Sequence, residues 1–205
     1  MNGPAYTIKS KRVLMRCLQP EDAEPLKQAI DESLDHLKRW MKWAKYEPEP
    51  LDFKLERIRR YRAKFDLDQQ YTYGIFLKDT KKLIGITRLT SKHFNGDFEV
   101  GYWIHKDFLN NGYCTEAIQA IVKAAFTINE VERLEIHCDP INTSSKRIPE
   151  KLGFMNEGII RKSELSKDGL REQSMVWSMF IEEYHNSIIK ECYIEAYDAL
   201  NRKLL

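Results

Sequence analysis

Along Arg12–Leu18 (RVLMRCL) apolar and polar residues alternate, which predicts a strand with one buried face. Gln19-Pro20-Glu21-Asp22 then reads as a turn into a helix whose first turn carries acids. In that helix Ala23, Leu26, Ile30, Leu34 and Leu37 recur at helical spacing up to Trp40, and Pro48 and Pro50 end the pattern. Phe53–Phe65 predicts a second helix with one wet face. Tyr71–Leu77 and Lys82–Thr90 predict paired strands joined at Lys78–Lys81. Asp97–His105 (DFEVGYWIH) and Arg133–Cys138 (RLEIHC) are further strands, separated by a helix over Thr115–Thr127 whose apolar face holds Ala117, Ile118, Ile121, Ala124 and Ala125. Ser144–Leu152 predicts a short helix ended by Gly153. Phe154–Arg161 and Glu172–Phe180 close the sheet as strands linked through Lys167-Asp168-Gly169. From Ile181 onward, Ile181, Tyr184, Ile188, Cys192, Ala196 and Leu200 lie near helical spacing, which predicts an amphipathic terminal helix. That helix has two uses open to it, packing on its own domain or forming a dimer interface. The sum is one α/β (α+β) domain with a mixed, mostly antiparallel sheet of about six to seven strands and helices on both faces.

The 205 residues suffice for one domain with a sizeable core. Formal charge is 33 − 31 = +2, too balanced to argue for nucleic acid as a direct partner. Cys17, Cys114, Cys138 and Cys192 form no CxxC pair and approach no His at metal-ligand spacing. Reduced thiols and no metal are therefore expected. With neither a signal peptide nor a long apolar run, the expected setting is soluble and cytoplasmic, away from membranes.

Candidate chemistry concentrates in residues 97–158. In order come the strand with Val100-Gly101-Tyr102-Trp103-Ile104, the turn Leu109-Asn110-Asn111-Gly112-Tyr113-Cys114-Thr115, the strand Arg133–Cys138, Asn142 and Ser145, and Glu150-Lys151-Leu152-Gly153-Phe154. A helix start offers free N–H groups and positive potential to a phosphate, and Gly112 lets the backbone come close. Asn110 and Asn111 tolerate turn conformations. An ordinary loop into a surface helix is the bland reading of this turn, and core packing is that of Tyr102 and Trp103.

Over about residues 10–180 this ordered set resembles the GNAT acetyltransferases, and within them the Rim-type branch that acetylates ribosomal-protein N-termini. The usual family turn, Gln/Arg-x-x-Gly-x-Gly/Ala, is departed from at Leu109 and Cys114. The resemblance implies an acetyl-CoA-dependent domain over 1–180, with 181–205 as a helical extension, monomeric or homodimeric. It implies a sheet splayed at its central strands, with the pantetheine arm beside Val100–Ile104 and the thioester near Trp103 and Ile104. It implies cofactor contacts at Leu109, Asn110, Asn111, Gly112, Tyr113, Cys114, Thr115 and Asn142. Ser145, matching the family's Asn-x-x-Ser, would protonate the departing CoA sulfur, and Glu164 would take the proton from the amine. Asn142 has helix capping as its bland reading and Glu164 a solvated ion pair with Lys162 or Lys167; Asp168 and Glu172 rank below Glu164 as bases. Trp40 and Trp43, three apart at the end of the first helix, resemble the Rim-type acceptor wall, with core anchoring as the alternative. Lys38, Arg39, Lys42 and Lys45 make this end basic, and His93, His105, His137 and His185 take no assigned role. The expected acceptor is a protein N-terminal α-amine. A small amine (antibiotic, polyamine or amino-acid conjugate) and a non-catalytic CoA-binding protein are the alternatives.

Overall fold

A computed structural model describes residues 4–92, 96–165, 169 and 171–205. His93, Lys167 and Asp168 therefore lie outside the described residues. The chain runs β1 (Thr7–Lys9), β2 (Val13–Cys17), α1 (Ala23–Glu32), α2 (Leu34–Trp40), α3 (Leu51–Asp66), β3 (Gln70–Leu77), β4 (Leu83–Ser91), β5 (Asp97–Ile104), α4 (Tyr113–Thr127), β6 (Arg133–Cys138), α5 (Thr143–Leu152), β7 (Met155–Leu165), β8 (Arg171–Phe180), α6 (Ile181–His185) and β9 (Glu195–Tyr197). All described strands join one sheet in the order β7-β8-β6-β5-β4-β3-β2-β1-β9. Every neighbour pairing is antiparallel except β5 with β6.

The two-residue period of the strands divides the apolar side chains between two cores. Ile84, Leu89, Val100, Ile104, Leu134 and Ile136 face the cluster that contains the apolar sides of α4 and α5. Leu83, Ile86 and Trp103 face the other cluster, closed by Leu26 and Ile30 of α1, Leu37 of α2 and Ile58 of α3. Both faces are thus covered, as expected.

Three expectations are corrected. The sheet has nine strands; the two extra, β1 and β9, are three residues each, too short to leave an alternating pattern. The helix expected to run unbroken to Trp40 divides at Ser33, whose hydroxyl accepts from the Lys106 N–H at 3.1 Å. The terminal helix stops at His185. The chain then turns back, and Glu195–Tyr197 pairs antiparallel with Thr7–Lys9, so Ile194 and Ala196 are buried in the extended edge of the sheet, not along a helical stripe. Tyr184 does pack as expected, stacked on Phe126 with ring centroids 4.7 Å apart.

Candidate active site

β5 pairs with β4 along its whole length, from Ser91↔Phe98 to Gly85↔Ile104. With β6 it pairs only at Asp97↔Arg133, Phe98↔Leu134 and Glu99↔Glu135. Beyond Glu99 the two strands part, and Val100–Ile104 have no strand on the β6 side. Gly85 permits the tight approach on the other edge, because a Cβ there would lie 2.3 Å from the Trp103 carbonyl oxygen.

The gap opens into a cavity of about 460 Å3. Trp103, Ile104, Leu109, Asn110, Gly112, Cys114, Thr115, Asn142 and Ser145 all line it, and so does Trp40. Asn111 and Tyr113 do not line it, because both are engaged from the opposite side by Arg12. The Arg12 guanidinium donates to the Asn111 carbonyl at 3.1 Å and sits 4.5 Å over the Tyr113 ring. Glu116 holds Arg12 in place, accepting from its Nε at 2.6 Å, from its backbone N–H at 2.7 Å and from Ser10 Oγ at 2.7 Å. Burial pushes the Glu116 carboxyl up, but these hydrogen bonds and the Arg12 charge outweigh it and leave it below the usual range.

The loop so braced has Asn110 at φ 60° and Gly112 at φ 78°, both left-handed, the second being where a side chain would be strained. Gly112 caps α4 without any side-chain cap bond. Among the described residues, no acceptor is found for the N–H groups of Tyr113, Cys114 and Thr115, the orphan donors of a helix start. Donors free of bulk, at the positive end of a 15-residue helix, suit a diphosphate.

Across the cavity Asn142 caps α5, its Oδ1 accepting the Ser145 N–H at 3.1 Å. Capping therefore orients Ser145. The Tyr102 hydroxyl lies 3.1 Å from Ser145 Oγ and donates to the Ser145 carbonyl at 3.2 Å. Burial pushes the Tyr102 phenol far up, so it stays protonated. Burial also pushes the Cys114 thiol up to about 12, which removes it as a thiolate nucleophile.

Trp40 and Trp43 do not share a helix face. α2 ends at Trp40, and Met41 is extended at φ −110°, ψ 110°. Trp43 turns inward instead and packs on Trp103 with centroids 6.2 Å apart. It braces the wall that Trp40 and Trp103 form. Glu164 lies on β7, exposed, and is not among the residues lining the cavity. Its own backbone N–H and the Lys42 charge hold its carboxyl below the usual range, and Lys42 itself pairs with Glu172.

His36 lines the cavity as well, a residue the sequence did not single out. Burial and the Arg39 charge lower its pKa, so it is neutral near pH 7. Its place on α2 one turn before Trp40 was the available signal. For a metal, Glu32, His105 and Asp107 bring one ligand atom each within 4.8 Å of one another. Both His105 nitrogens are in use, Nδ1 accepting the Asp107 N–H at 3.1 Å and Nε2 lying 2.8 Å from Glu32. The cluster ties α1 to the turn before Leu109.

The central sheet is split, a cavity lies at the split and a helix starts beside it, the arrangement that the resemblance to the GNAT acetyltransferases implies. The model of the acetyltransferase (GNAT) domain matches residues 12–155. The chain belongs to this family of N-acetyltransferases. It is 30% identical over 159 residues to "Probable N-acetyltransferase YjcK" of Bacillus subtilis (strain 168), covering 76% of this chain and 87% of that one. It is 28% identical over 185 residues to "Putative ribosomal N-acetyltransferase YdaF" of the same organism, covering 87% and 97%. A solved structure described as a "Probable acetyltransferase" superposes with a TM-score of 0.78 at 28% identity, covering 87% of this chain and 98% of that one.

Proposed function

We propose that this protein moves the acetyl group of acetyl-CoA onto a protein N-terminal α-amine by direct attack in a ternary complex, in the cytoplasm. The observation that carries the reading is the single cavity bounded by the open edge of Val100–Ile104, the N–H groups after Gly112 and the Ser145 hydroxyl. Acetyl-CoA brings an acyl carbon already activated as a thioester. An N–H on the open edge of β5 stabilises negative charge on the carbonyl oxygen. Ser145, oriented by Asn142 and Tyr102, gives a proton to the sulfur as the C–S bond breaks. As the N–C bond forms, the amine passes its proton to a base, Glu164 or His36.

The acceptor follows from proton chemistry. An α-amine titrates at about 7.7–8.0 and a Lys side chain at about 10.4, so the neutral form of Lys costs roughly 3 kcal/mol more near neutrality. Glu164, exposed and with a lowered pKa, is a weak base that suits an amine already partly neutral. A second base is favoured by one specific observation: His36 is neutral and lines the cavity, whereas Glu164 does not. The test is thiol release from acetyl-CoA across a panel of N-terminal peptides and small amines. Peptides turning over fastest support the reading; turnover confined to polyamines or aminoglycosides contradicts the acceptor, and CoA binding with no turnover on any amine contradicts catalysis.

A further inference from the structure

The segment between α2 and α3 is held by charge at a depth where charge is seldom found. Lys54, on the inner face of α3, pairs with Glu47, and both side chains are fully buried. Lys54 also donates to Glu49 at 3.0 Å. Arg57, one turn further along α3, donates to Glu47 at 3.1 Å and to Glu49 as well. Glu47 accepts in addition from the Glu49 N–H at 2.9 Å. Burial pushes the Glu47 carboxyl up, but the hydrogen bonds from Lys54 and the Glu49 N–H and the charges of Lys54 and Arg57 leave it below the usual range. A buried ion pair is often no more stabilising than apolar groups of the same volume, because desolvation offsets the attraction. What such a network adds is direction, since satisfied hydrogen bonds hold their partners in one geometry.

The segment held in this way is the one that reaches the cavity. His36, Leu37, Trp40 and Met41 line it, and the short helical turn Lys42–Tyr46 follows directly. In that turn Trp43 touches both the network and the cavity wall. The Arg57 guanidinium lies 5.8 Å from its ring centroid, and the ring of Trp103, which lines the cavity, is centred 6.2 Å away. The backbone joins the turn to the network, the Ala44 N–H donating to the Met41 carbonyl at 3.0 Å and the Glu47 N–H to the Ala44 carbonyl at 3.2 Å. Contacts therefore run without a break from Lys54 through Glu47, Arg57 and Trp43 to Trp103.

We propose that Lys54 and Arg57 are positioning residues for acyl transfer: with Glu47 and Glu49 they lock Trp43, and through it the Trp103 wall against which the acceptor amine lies. The inference rests on the acetyl-CoA reading of the cavity. In that reading the N–H groups after Gly112 and the Ser145 hydroxyl hold the thioester from α4 and α5, on one face of the sheet. The amine then arrives from the other face, where α2 and Trp103 stand. A wall fixed before binding spares the acceptor the cost of ordering it. Loosening the network therefore weakens productive placement of the amine and leaves the thioester's site untouched.

Steady-state kinetics of the full chain, with the N-terminal peptide it turns over fastest, and calorimetry with CoA test this together. The variants are Arg57→Ala, at a half-buried site, and Glu47→Gln/Lys54→Met, which removes one charge of each sign. Thermal melts confirm that each folds, and if the double variant does not, Arg57→Ala decides. Each is expected to raise the peptide KM about tenfold while its affinity for CoA stays at the wild-type value. Trp43→Leu should do the same. Adding Arg57→Ala to Trp43→Leu should raise KM no further, because residues that act through one another are not additive. An unchanged peptide KM in folded variants, a parallel loss of CoA affinity, or effects of Arg57→Ala and Trp43→Leu that multiply overturns the positioning role and leaves the reading of the cavity standing. No turnover of any amine by the wild type overturns that reading and this one with it.

Discussion

Ser145 is positioned by backbone as much as by side chain. Its N–H is capped by Asn142 and its carbonyl is held by Tyr102, and neither bond needs the Ser hydroxyl. Ser145→Ala should therefore fold normally and keep its affinity for CoA, while kcat falls by about a hundredfold or more, the range for loss of a general acid. Stopped-flow or thiol-release kinetics read this directly; a normal kcat with a raised KM for acetyl-CoA would assign Ser145 to binding. At this scale the sequence was a good guide where a motif fixes a backbone position, as at Gly112, Asn142 and Ser145. It was a poor guide to side-chain direction. Asn111 and Tyr113 sit in the turn around Gly112, yet Arg12, about a hundred residues earlier, engages them away from the cavity. Nothing local to the turn encodes that contact.

Between elements, a charged cluster joins β6 to the end of the β4–β5 pair. Lys92 and Arg133 both contact Glu135, and His137 Nε2 lies 2.8 Å from it. Burial pushes the Glu135 carboxyl up, but hydrogen bonds from Lys92 and His137 and the charges of Lys92 and Arg133 hold it at about 2. The folded value lies below the ordinary 4.5, so the contribution to stability is complete above that value and is lost as pH falls from there to about 2. Each unit of depression is worth about 1.4 kcal/mol. Urea unfolding at stepped pH should show wild-type stability dropping steeply across this window and Glu135→Gln much less; parallel curves would contradict the assignment. The pairing sits where β5 and β6 are last in register, so it fixes the point from which the strands diverge. Helix and strand order was legible from periodicity, because each element buries one face on one of two cores. The split itself was not, since β5 alternates in the same way whether or not a neighbour pairs with it; only the family resemblance supplied it.

For the molecule as a whole, the C-terminal residues close the far edge of the sheet and pin to α4. Six apolar residues near helical spacing suggested a helix, but Ile188 and Leu200 are exposed, while Tyr184, Ile189, Ile194 and Ala196 are buried. The spacing was a coincidence of turns and a short strand. Deleting residues 186–205 should uncover the β1 edge and remove several buried side chains, at about 1.5–3 kcal/mol for each large one. A much lower Tm or aggregation is expected; an unchanged Tm with altered sedimentation would instead make the segment an interface between copies. Among the described residues no helix is long and apolar enough to cross a membrane. The account as a whole depends on main-chain donors after Gly112 gripping a diphosphate. Titrating wild type and Gly112→Ala with CoA in a calorimeter measures this most directly. The account predicts one saturable site in the wild type, weakened about fivefold to thirtyfold by forcing a Cβ into a left-handed position that costs roughly 1–2 kcal/mol; absence of heat from the wild type, or identical isotherms for the two proteins, would contradict it.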